Sequence, residues 1–332
     1  MRALLSNSPG GPESLTLGTL PDPIPGDDEI VVQVEACSVN FPDSLIIADQ
    51  YQYKPARPFA PGAEVAGTVL EAGQNVAGFV PGDRVMAMCG WGGMAERISI
   101  PVNACCLMPT SMPAEEGAAF LMTFGTAYHA LKQRAQLSQG EVLLVLGASG
   151  GVGLAAVALG RAMGATVVAA ASSQSKLDVA LAHGAHSGFV YPAGGADFDA
   201  KSLSALIKEQ AGPIDVVFDP VGGALSEASV RALAWNGRYL IVGFPAGICR
   251  LPLNLLLLKG AAAVGVFYGS FTEREPDANH ENNRELIAFY KAGKIRPLIS
   301  RRFTLEQGGQ AISELASRNA VGKLVVNIGG AQ

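Results

Sequence analysis

The chain has 332 residues, of which 49% are hydrophobic and 16% are charged, and its formal net charge is −5. This length predicts two domains, and this composition allows a large buried core and excludes an intrinsically disordered chain. An acidic balance without any run of lysines or arginines argues against nucleic acid or an anionic membrane as the main partner and favours a small molecule.

Residues 1–122 carry short runs of β-forming residues, such as 30–36 and 64–71, separated by turns rich in proline and glycine. We predict an all-β, turn-rich region here. The amino terminus, MRALLSNSPGG, has no apolar run long enough for a secretory signal. We therefore expect a cytoplasmic protein.

Strand-like and helical runs alternate from residue 123 to residue 268. Strands are predicted at EVLLVLG, TVVAAAS, GFVY, DVVFDP and RYLIVGF, and helices at residues 153–163, 176–183, 203–210 and 224–234. Such alternation implies right-handed crossovers and a parallel sheet covered by helices on both faces. The prediction is an α/β fold with a doubly wound parallel sheet.

An apolar window at residues 251–269 follows, interrupted by Asn254, Lys259 and Gly260. These interruptions predict a buried helix followed by a strand, and they argue against a bilayer span. The last part of this window, residues 261–267, resembles the final strand of the parallel sheet. An exposed apolar strand edge is covered or paired in a stable protein, so pairing with a second copy is expected here.

The carboxy-terminal residues predict a helix at 284–292, a strand at 299–304, a further helix and a strand at 323–328. This tail resembles the first region more than the middle one. We therefore assign residues 1–122 and 269–332 to one β-rich domain and residues 123–268 to another.

A glycine-rich turn joins the first strand and first helix of the middle region. Its sequence, Ala148-Ser149-Gly150-Gly151-Val152-Gly153, is G-x-G-x-x-G with alanine in the first place. A strand precedes it, a helix follows, and a second strand closes the unit within about 30 residues, as in dinucleotide-binding sites. The alternative is a purely structural turn in an α/β protein.

The end of the second predicted strand indicates which dinucleotide binds. An NAD site places Asp or Glu about 20 residues after the glycines, on the ribose hydroxyls. Here Ser172, Ser173 and Lys176 stand in that region, and they suit a 2′-phosphate, which a carboxylate would repel. The alternative is that these residues cap the next helix. The missing acid favours NADPH.

Several longer motifs resemble those of one family: ACSVNFPDSLI, YQYKPARPFAPGAEVAG, VPGDRV, FGTAYHAL, GASGGVG, FDPVGG, YLIVGF and LPLNLLLLKG. Over nearly its whole length the chain resembles the zinc-independent medium-chain dehydrogenases/reductases, specifically the NADPH:quinone oxidoreductase family that includes zeta-crystallin. The resemblance implies a Rossmann NADP-binding domain (123–268) and a GroES-like catalytic domain (1–122 and 269–332), with the substrate cleft between them. It also implies a two-fold dimer joined through a continuous sheet.

The resemblance assigns cofactor-binding roles to individual residues. It implies that Ser173, Lys176 and Tyr191 surround the 2′-phosphate, and that Arg318 or Lys323 closes over the cofactor. The residues that it implies at the pyrophosphate are Ser149, Gly150, Gly151 and Val152, and those that it implies along the nicotinamide are Asn40, Thr126, Gly243 and Phe244.

The chain departs from its zinc-dependent relatives at the metal ligands. The positions of their three ligands are occupied by Asn40, by Ala63, and by Met122 or Thr123. A catalytic zinc needs three protein ligands, and a structural zinc needs four closely spaced Cys or His, so no metal is expected. Cys37, Cys105 and Cys106 are then interpreted as small buried hydrophobic residues. The five cysteines form an odd set without a Cys-x-x-Cys pair, which suits a reducing compartment; they are Cys37, Cys89, Cys105, Cys106 and Cys249.

An enzyme without a Lewis acid cannot readily stabilise an alkoxide, so we expect an acceptor already activated for hydride. A quinone is favoured, and the alternatives are a 2-enone or an enoyl thioester. An alternative of another class is a non-catalytic protein that binds NADPH or nucleic acid.

Two residues are candidates for contacting the acceptor. The amide of Asn40 can hydrogen-bond a carbonyl oxygen, and Tyr51 can serve as a proton donor or as an aromatic wall, with the wall favoured. Asp43 is interpreted as a structural hydrogen-bonding residue, and His129 as a packed helix residue.

Overall fold

The computed structural model describes residues 1–191, 200–248, 250–317 and 320–329. The chain forms two compact units, of which one contains Met1–Met122 and Pro297–Gln332 and the other contains Thr123–Arg296.

The elements before residue 130 are mostly strands. The strands are β1 (Arg2–Leu5), β2 (Thr16–Thr19), β3 (Glu29–Ser38), β4 (Glu64–Ala72), β5 (Arg84–Met88), β6 (Arg97–Pro101) and β7 (Cys105–Leu107). The helices are α1 (Phe41–Ile47), α2 (Ala114–Ala118) and α3 (Leu121–His129), and a π-helical turn (Ala130–Arg134) follows α3.

Strands and helices alternate from residue 142 onward. The strands are β8 (Val142–Leu146), β9 (Thr166–Ala171), β10 (Ser187–Val190), β11 (Ile214–Asp219), β12 (Leu233–Ile241), β13 (Ala262–Gly265), β14 (Ile299–Thr304) and β15 (Lys323–Asn327). The helices are α4 (Gly151–Ala162), α5 (Gln174–Ala182), α6 (Ala200–Ala211), α7 (Ala224–Ala232), α8 (Leu253–Lys259), α9 (Tyr268–Arg274), α10 (Pro276–Lys291) and α11 (Gly308–Ala316).

The first unit is built on a seven-stranded sheet in the order β14-β15-β3-β4-β5-β7, with β6 also paired to β3. Strand β3 is central because its sequence, EIVVQVEACS, buries Ile30, Val32 and Val34 in the core. The closing strand β15 runs antiparallel to the end of β3, with Val325 opposite Ser38. This register brings the start of β15 next to the residues that follow β3.

The prediction of an all-β region was wrong at α1 and α2. Helix α1 starts in a capping box, in which Asn40 is the N-cap and Asp43 accepts a hydrogen bond from the Asn40 backbone N–H. The usual capping box uses Ser or Thr with Glu or Gln, so the Asn-Phe-Pro-Asp version was not recognised as a helix start.

The second unit is built on a six-stranded parallel sheet in the order β10-β9-β8-β11-β12-β13. The central strand β8, VLLVL, is buried along nearly its whole length, as expected for a parallel strand covered on both faces. The strand order reverses between β8 and β11, where ligands of such sheets bind at the carboxyl ends of the strands. The predicted Rossmann sheet is confirmed.

Residues 269–296 lie with the second unit, whereas the sequence analysis grouped them with the tail. Helix α10 begins at Pro276, eight residues before the predicted start, and its Asn282 and Glu285 bond to the segment after α3. Gln133 Nε2 donates to Asn282 Oδ1 at 2.8 Å, and the ammonium of Lys132 pairs with Glu285. These polar contacts join α10 to the second unit.

Residues 251–269 form a helix and a strand, as predicted, but the expected burial was wrong. Leu257 on α8 is 81% exposed, and Leu253 and Leu258 are also exposed. Strand β13 lies at the edge of the parallel sheet, and Trp235, on the adjacent β12, is 71% exposed. We call this surface, formed by α8, β13 and Trp235, the apolar edge.

Candidate functional site

The glycine-rich turn connects β8 to α4, with Gly150 at the N-cap. A Cβ atom on Gly153 would lie 2.3 Å from the carbonyl oxygen of Gly147, so only glycine allows α4 to pack this closely on the turn. A Cβ on Gly150 would come no nearer than 3.6 Å to that oxygen, which leaves open space at the helix terminus. The amino terminus of α4 therefore fits a pyrophosphate, because its first-turn N–H groups have no partner within the helix.

The end of β9 brings together three of the predicted phosphate-binding residues. Ser173 is the N-cap of α5, and its hydroxyl accepts a hydrogen bond from the backbone N–H of Lys176 at 3.3 Å. The backbone N–H of Tyr191 donates to the carbonyl of Ala171, the last residue of β9, at 2.9 Å. Residues 172–176 contain no acidic side chain. Ser173 thus caps α5, in the way the alternative described, and its position also fits a 2′-phosphate.

A buried carboxylate at the end of β11 shapes the loops beside the glycine-rich turn. Asp219 Oδ1 accepts hydrogen bonds from the backbone N–H groups of Val221 at 2.7 Å and Gly222 at 2.8 Å, and Ser226 donates to Oδ2 at 2.8 Å. Tyr239 also donates to Oδ2. The sequence analysis used FDPVGG only as a family motif and missed that its aspartate fixes this loop.

The loop that contains Gly243 and Phe244 is attached to this anchored segment. Ala246 N–H donates to the carbonyl of Val221 at 2.9 Å, and Gly223 N–H donates to that of Gly247 at 2.8 Å. The loop therefore follows the carboxyl end of β12 and lies beside the end of β11, at the same end of the sheet as the glycine-rich turn. The side chain of Phe244 is exposed there.

Helix α3 carries Thr126, which is half-buried. Three residues later, His129 stacks on Phe271 with ring centroids 3.9 Å apart, and burial lowers the pKa of its imidazole. His129 is thus the packed helix residue that the sequence predicted.

In the first unit, the side chain of Asp43, in the first turn of α1, is buried. Its carboxylate accepts hydrogen bonds from the backbone N–H groups of Asn40 at 2.7 Å and Gly62 at 3.2 Å. Burial raises the pKa of Asp43 to about 6, and these two hydrogen bonds oppose the increase. The contacts support the interpretation of Asp43 as a structural hydrogen-bonding residue.

A buried polar cluster surrounds the side chain of Asn40, which is 6% exposed. The ammonium of Lys323 donates to Asn40 Oδ1 at 2.6 Å and to the carbonyl of Val39 at 3.1 Å, and it lies 3.7 Å from Glu64 Oε2. Asn40 Nδ2 donates to Ser38 Oγ at 3.2 Å and to Glu64 Oε2 at 3.4 Å. We call these four side chains, Ser38, Asn40, Glu64 and Lys323, the Asn40 cluster.

The cluster contains a fully buried acid and a nearly fully buried base. Burial raises the pKa of Glu64 and lowers that of Lys323, and the attraction between the two opposes both shifts. Glu64 also accepts hydrogen bonds from the Ser38 hydroxyl at 2.8 Å and from the Met122 backbone N–H at 2.9 Å. The sequence analysis named Lys323 only as a residue closing over the cofactor and did not predict that Glu64 joins a buried polar cluster, although an acid at the start of an apolar strand was a visible signal.

Tyr51 packs against the core of the first unit and is half-buried. Its ring lies 5.9 Å from that of Tyr53, tilted by 53°. Burial raises the pKa of the Tyr51 hydroxyl, which makes it a weaker proton donor. These features favour the aromatic wall over the acid.

The residues at the positions of the zinc ligands do not suit a metal. The amide of Asn40 accepts a hydrogen bond from Lys323, and Ala63 is buried and has no side-chain ligand atom. Within the part of the chain that the structure describes, no group of three or more His, Cys, Asp or Glu residues is placed to hold a metal ion. The four cysteines among the described residues are free, and burial raises the pKa of each thiol; they are Cys37, Cys89, Cys105 and Cys106.

We expect purified protein to keep its activity after dialysis against EDTA and to contain no stoichiometric zinc, because Asn40 and Ala63 cannot replace a thiolate and an imidazole as ligands. Elemental analysis by plasma mass spectrometry checks the metal content, and a zinc-dependent alcohol dehydrogenase serves as the positive control. About one zinc per chain, with activity lost on chelation, would contradict this prediction.

Two residues of the sequence analysis, Arg318 and Cys249, lie outside the described residues. The binding role of Arg318 therefore stays a prediction. Among the described helices, none combines the length and the apolar character needed to cross a bilayer.

Two family models match the chain: an alcohol dehydrogenase GroES-like domain at residues 26–110, and a zinc-binding dehydrogenase domain at residues 151–284. The quinone oxidoreductase-like protein 2 homolog of Nematostella vectensis is 34% identical over 307 residues, which cover 91% of this chain and 82% of that protein. Human quinone oxidoreductase is 30% identical over 333 residues, covering 98% and 97%.

The quinone oxidoreductase of Thermus thermophilus, which was crystallised also in complex with NADPH, has the same fold. It superposes with a TM-score of 0.84 and 34% identity, covering 99% of this chain and all of that one. Together with the glycine-rich turn, the Rossmann strand order and the replaced zinc ligands, these similarities show that the chain belongs to the zinc-independent, zeta-crystallin-like quinone oxidoreductase family of the medium-chain dehydrogenases/reductases.

Proposed function

We propose that the protein is an NADPH-dependent oxidoreductase that transfers a hydride to a quinone without a metal. The observation that carries the proposal is the replacement of a zinc ligand by Asn40, whose amide is bound to Lys323, in a chain that retains a complete dinucleotide-binding turn. Relatives at 30–34% identity over nearly the whole chain bear quinone oxidoreductase names.

The second unit offers a binding site for each end of NADPH. The α4 amino terminus accepts the pyrophosphate through Ser149, Gly150, Gly151 and Val152. Ser173, Lys176 and Tyr191 at the end of β9 receive the 2′-phosphate, where a carboxylate would repel it. Thr126 and the loop with Gly243 and Phe244 line the nicotinamide. Bound NADPH supplies the hydride; the protein orients both reactants and excludes water.

The acceptor is proposed to contact Asn40 and Tyr51. Because Asn40 and Ala63 stand at two positions of the zinc ligands, this site offers no zinc to polarise a simple ketone or stabilise an alkoxide. A quinone accepts hydride without that assistance. Tyr51 provides an aromatic surface for a planar acceptor. Asn40 contributes a fixed polar wall, because its amide is bound by Lys323, Ser38 and Glu64.

Steady-state oxidation of NADPH with 1,4-naphthoquinone and with crotonyl thioester tests the proposal. We expect turnover with the quinone at a kcat/KM well above that with the thioester. A preference for the thioester, or for a 2-enone, would assign the enzyme to enone reduction. Tight NADPH binding without turnover of any acceptor would indicate a non-catalytic binding protein.

We also propose that the protein is a homodimer that pairs β13 with β13 of a second copy. The apolar edge exposes large hydrophobic side chains and the backbone groups of an edge strand to water. Pairing two copies would hydrogen-bond these backbone groups and bury the leucines. The free described cysteines support a cytoplasmic location, since that compartment keeps thiols reduced.

Replacing Leu257 with glutamate should convert the dimer to a monomer at micromolar concentration, because two-fold symmetry would bury two unpaired charges at several kcal/mol each. Multi-angle light scattering measures the mass. Ile24→Glu is the matched control, since Ile24 is 85% exposed and belongs to the first unit, which does not contain the apolar edge. A monomeric parent protein, or a dimer that persists in the Leu257 variant, would contradict the proposed interface.

A further inference from the structure

The side-chain amide of Asn40 is bound at both ends inside the first unit. Its oxygen accepts a hydrogen bond from the Lys323 ammonium at 2.6 Å, and its nitrogen donates to Ser38 Oγ at 3.2 Å and Glu64 Oε2 at 3.4 Å. All four side chains of the Asn40 cluster are buried.

These partners determine which way the amide points. An ammonium group can only donate, and an ionised carboxylate can only accept. Flipping the amide by 180° would place its NH2 group against the Lys323 ammonium and its oxygen against the Glu64 carboxylate. Both new contacts would be repulsive, so the observed orientation is the only one that the cluster accepts.

The distances show that Lys323 does more than neutralise the charge of Glu64. Its ammonium is closer to Asn40 Oδ1, at 2.6 Å, than to Glu64 Oε2, at 3.7 Å, and it also donates to the carbonyl of Val39 at 3.1 Å. The backbone reinforces this arrangement, because Val39 N–H donates to the carbonyl of Leu324 at 2.9 Å. The start of β15 is thus bound to residues 39 and 40 by both the Lys323 side chain and the backbone.

We propose that Lys323 is a positioning residue, which holds the Asn40 amide in the single orientation needed beside the acceptor. The inference rests on the proposed function, in which Asn40 contacts the acceptor. Lys323 itself acts through Asn40.

The experiment must distinguish positioning from charge compensation. Lys323→Met alone would leave Glu64 buried without its cation, and Glu64→Gln alone leaves the ammonium of Lys323 buried without its nearest carboxylate, so each single variant can lose stability. We therefore compare Glu64→Gln, which keeps Lys323, with the double variant Glu64→Gln/Lys323→Met, which has neither charge. Thermal unfolding monitors the fold of each variant.

If Lys323 positions Asn40, the double variant unfolds at or above the temperature of Glu64→Gln, because it retains no unpaired buried charge, yet it reduces 1,4-naphthoquinone about 10²-fold more slowly in kcat. Adding Asn40→Ala to the double variant then causes little further loss, although Asn40→Ala in the Glu64→Gln background causes a large one. Equal kcat values for Glu64→Gln and the double variant, or independent losses from Asn40→Ala in both backgrounds, would overturn the inference.

A second readout does not depend on the acceptor. The side-chain ¹⁵N–¹H resonances of Asn40 should be protected from hydrogen exchange in Glu64→Gln, and should shift and lose that protection in the double variant. If no quinone is reduced by the parent protein, the proposed function fails while this measurement still tests the positioning. Asn40 resonances that do not change when Lys323 is removed would refute it.

Discussion

Replacing Lys176 with alanine should raise the Michaelis constant for NADPH by about 10- to 100-fold and leave that for NADH almost unchanged. A charge-assisted hydrogen bond from the lysine to the 2′-phosphate is worth about 1.5–3 kcal/mol, and NADH lacks that phosphate. The parent enzyme should prefer NADPH by the same factor. Added salt should reduce this preference, because Lys176 is only half-buried and screening weakens an ion pair that solvent reaches.

Initial rates with each cofactor at several salt concentrations measure the effect, and Lys291→Ala provides a control at an exposed lysine at the end of α10. Ser173 is a poorer target for this purpose. Its hydroxyl caps α5, so an alanine there should cost about 1 kcal/mol of stability whatever it does to the cofactor. Equal increases in the Michaelis constants for NADPH and NADH in Lys176→Ala would show that the lysine supports the fold and does not bind the 2′-phosphate.

Alanine substitutions at two glycines of the same turn should have different effects, because one should weaken NADPH binding and the other should lower stability. In Gly150→Ala the new methyl group meets nothing in the protein closer than 3.6 Å, so the variant should unfold at nearly the parent temperature. The methyl group would stand where the pyrophosphate approaches the backbone, and NADPH binding should weaken by at least about 10-fold, a loss of about 1.4 kcal/mol.

In Gly153→Ala the methyl group would lie 2.3 Å from the carbonyl oxygen of Gly147, which is backbone and cannot rotate away. Overpacking of this kind costs about 1–3 kcal/mol, so the unfolding temperature should fall. Thermal unfolding together with fluorescence titration of NADPH separates the two cases. Stable Gly153→Ala protein, or unchanged NADPH affinity in Gly150→Ala, would show that the roles of the two glycines have been misassigned.

Local patterns predicted the second unit well, because its elements follow one another along the chain. Each strand of the parallel sheet is a short apolar run, and the glycine-rich turn lies directly between β8 and α4. The strand, the turn and the helix are neighbours in sequence, so hydrophobic periodicity and glycine placement were sufficient.

The Asn40 cluster could not be predicted in this way. Asn40 and Lys323 are 283 positions apart, and they meet only because β15 pairs with the end of β3. No local pattern contains that register. The exposure of α8 was missed for a related reason: an apolar face that is exposed on the folded chain has the same composition as one that is buried inside it.

The discontinuity of the first unit has a consequence for synthesis on the ribosome. Residues 36–38 of β3 pair with β15, which is translated only after the whole of the second unit, whose strands all lie between residues 142 and 265. Throughout that interval, the nascent first unit has an open strand edge, and Glu64 lacks its cation. The second unit can therefore complete its fold before the first unit can. A chain truncated before residue 297 would keep an unpaired, aggregation-prone edge on β3, which β15 covers in the full-length protein.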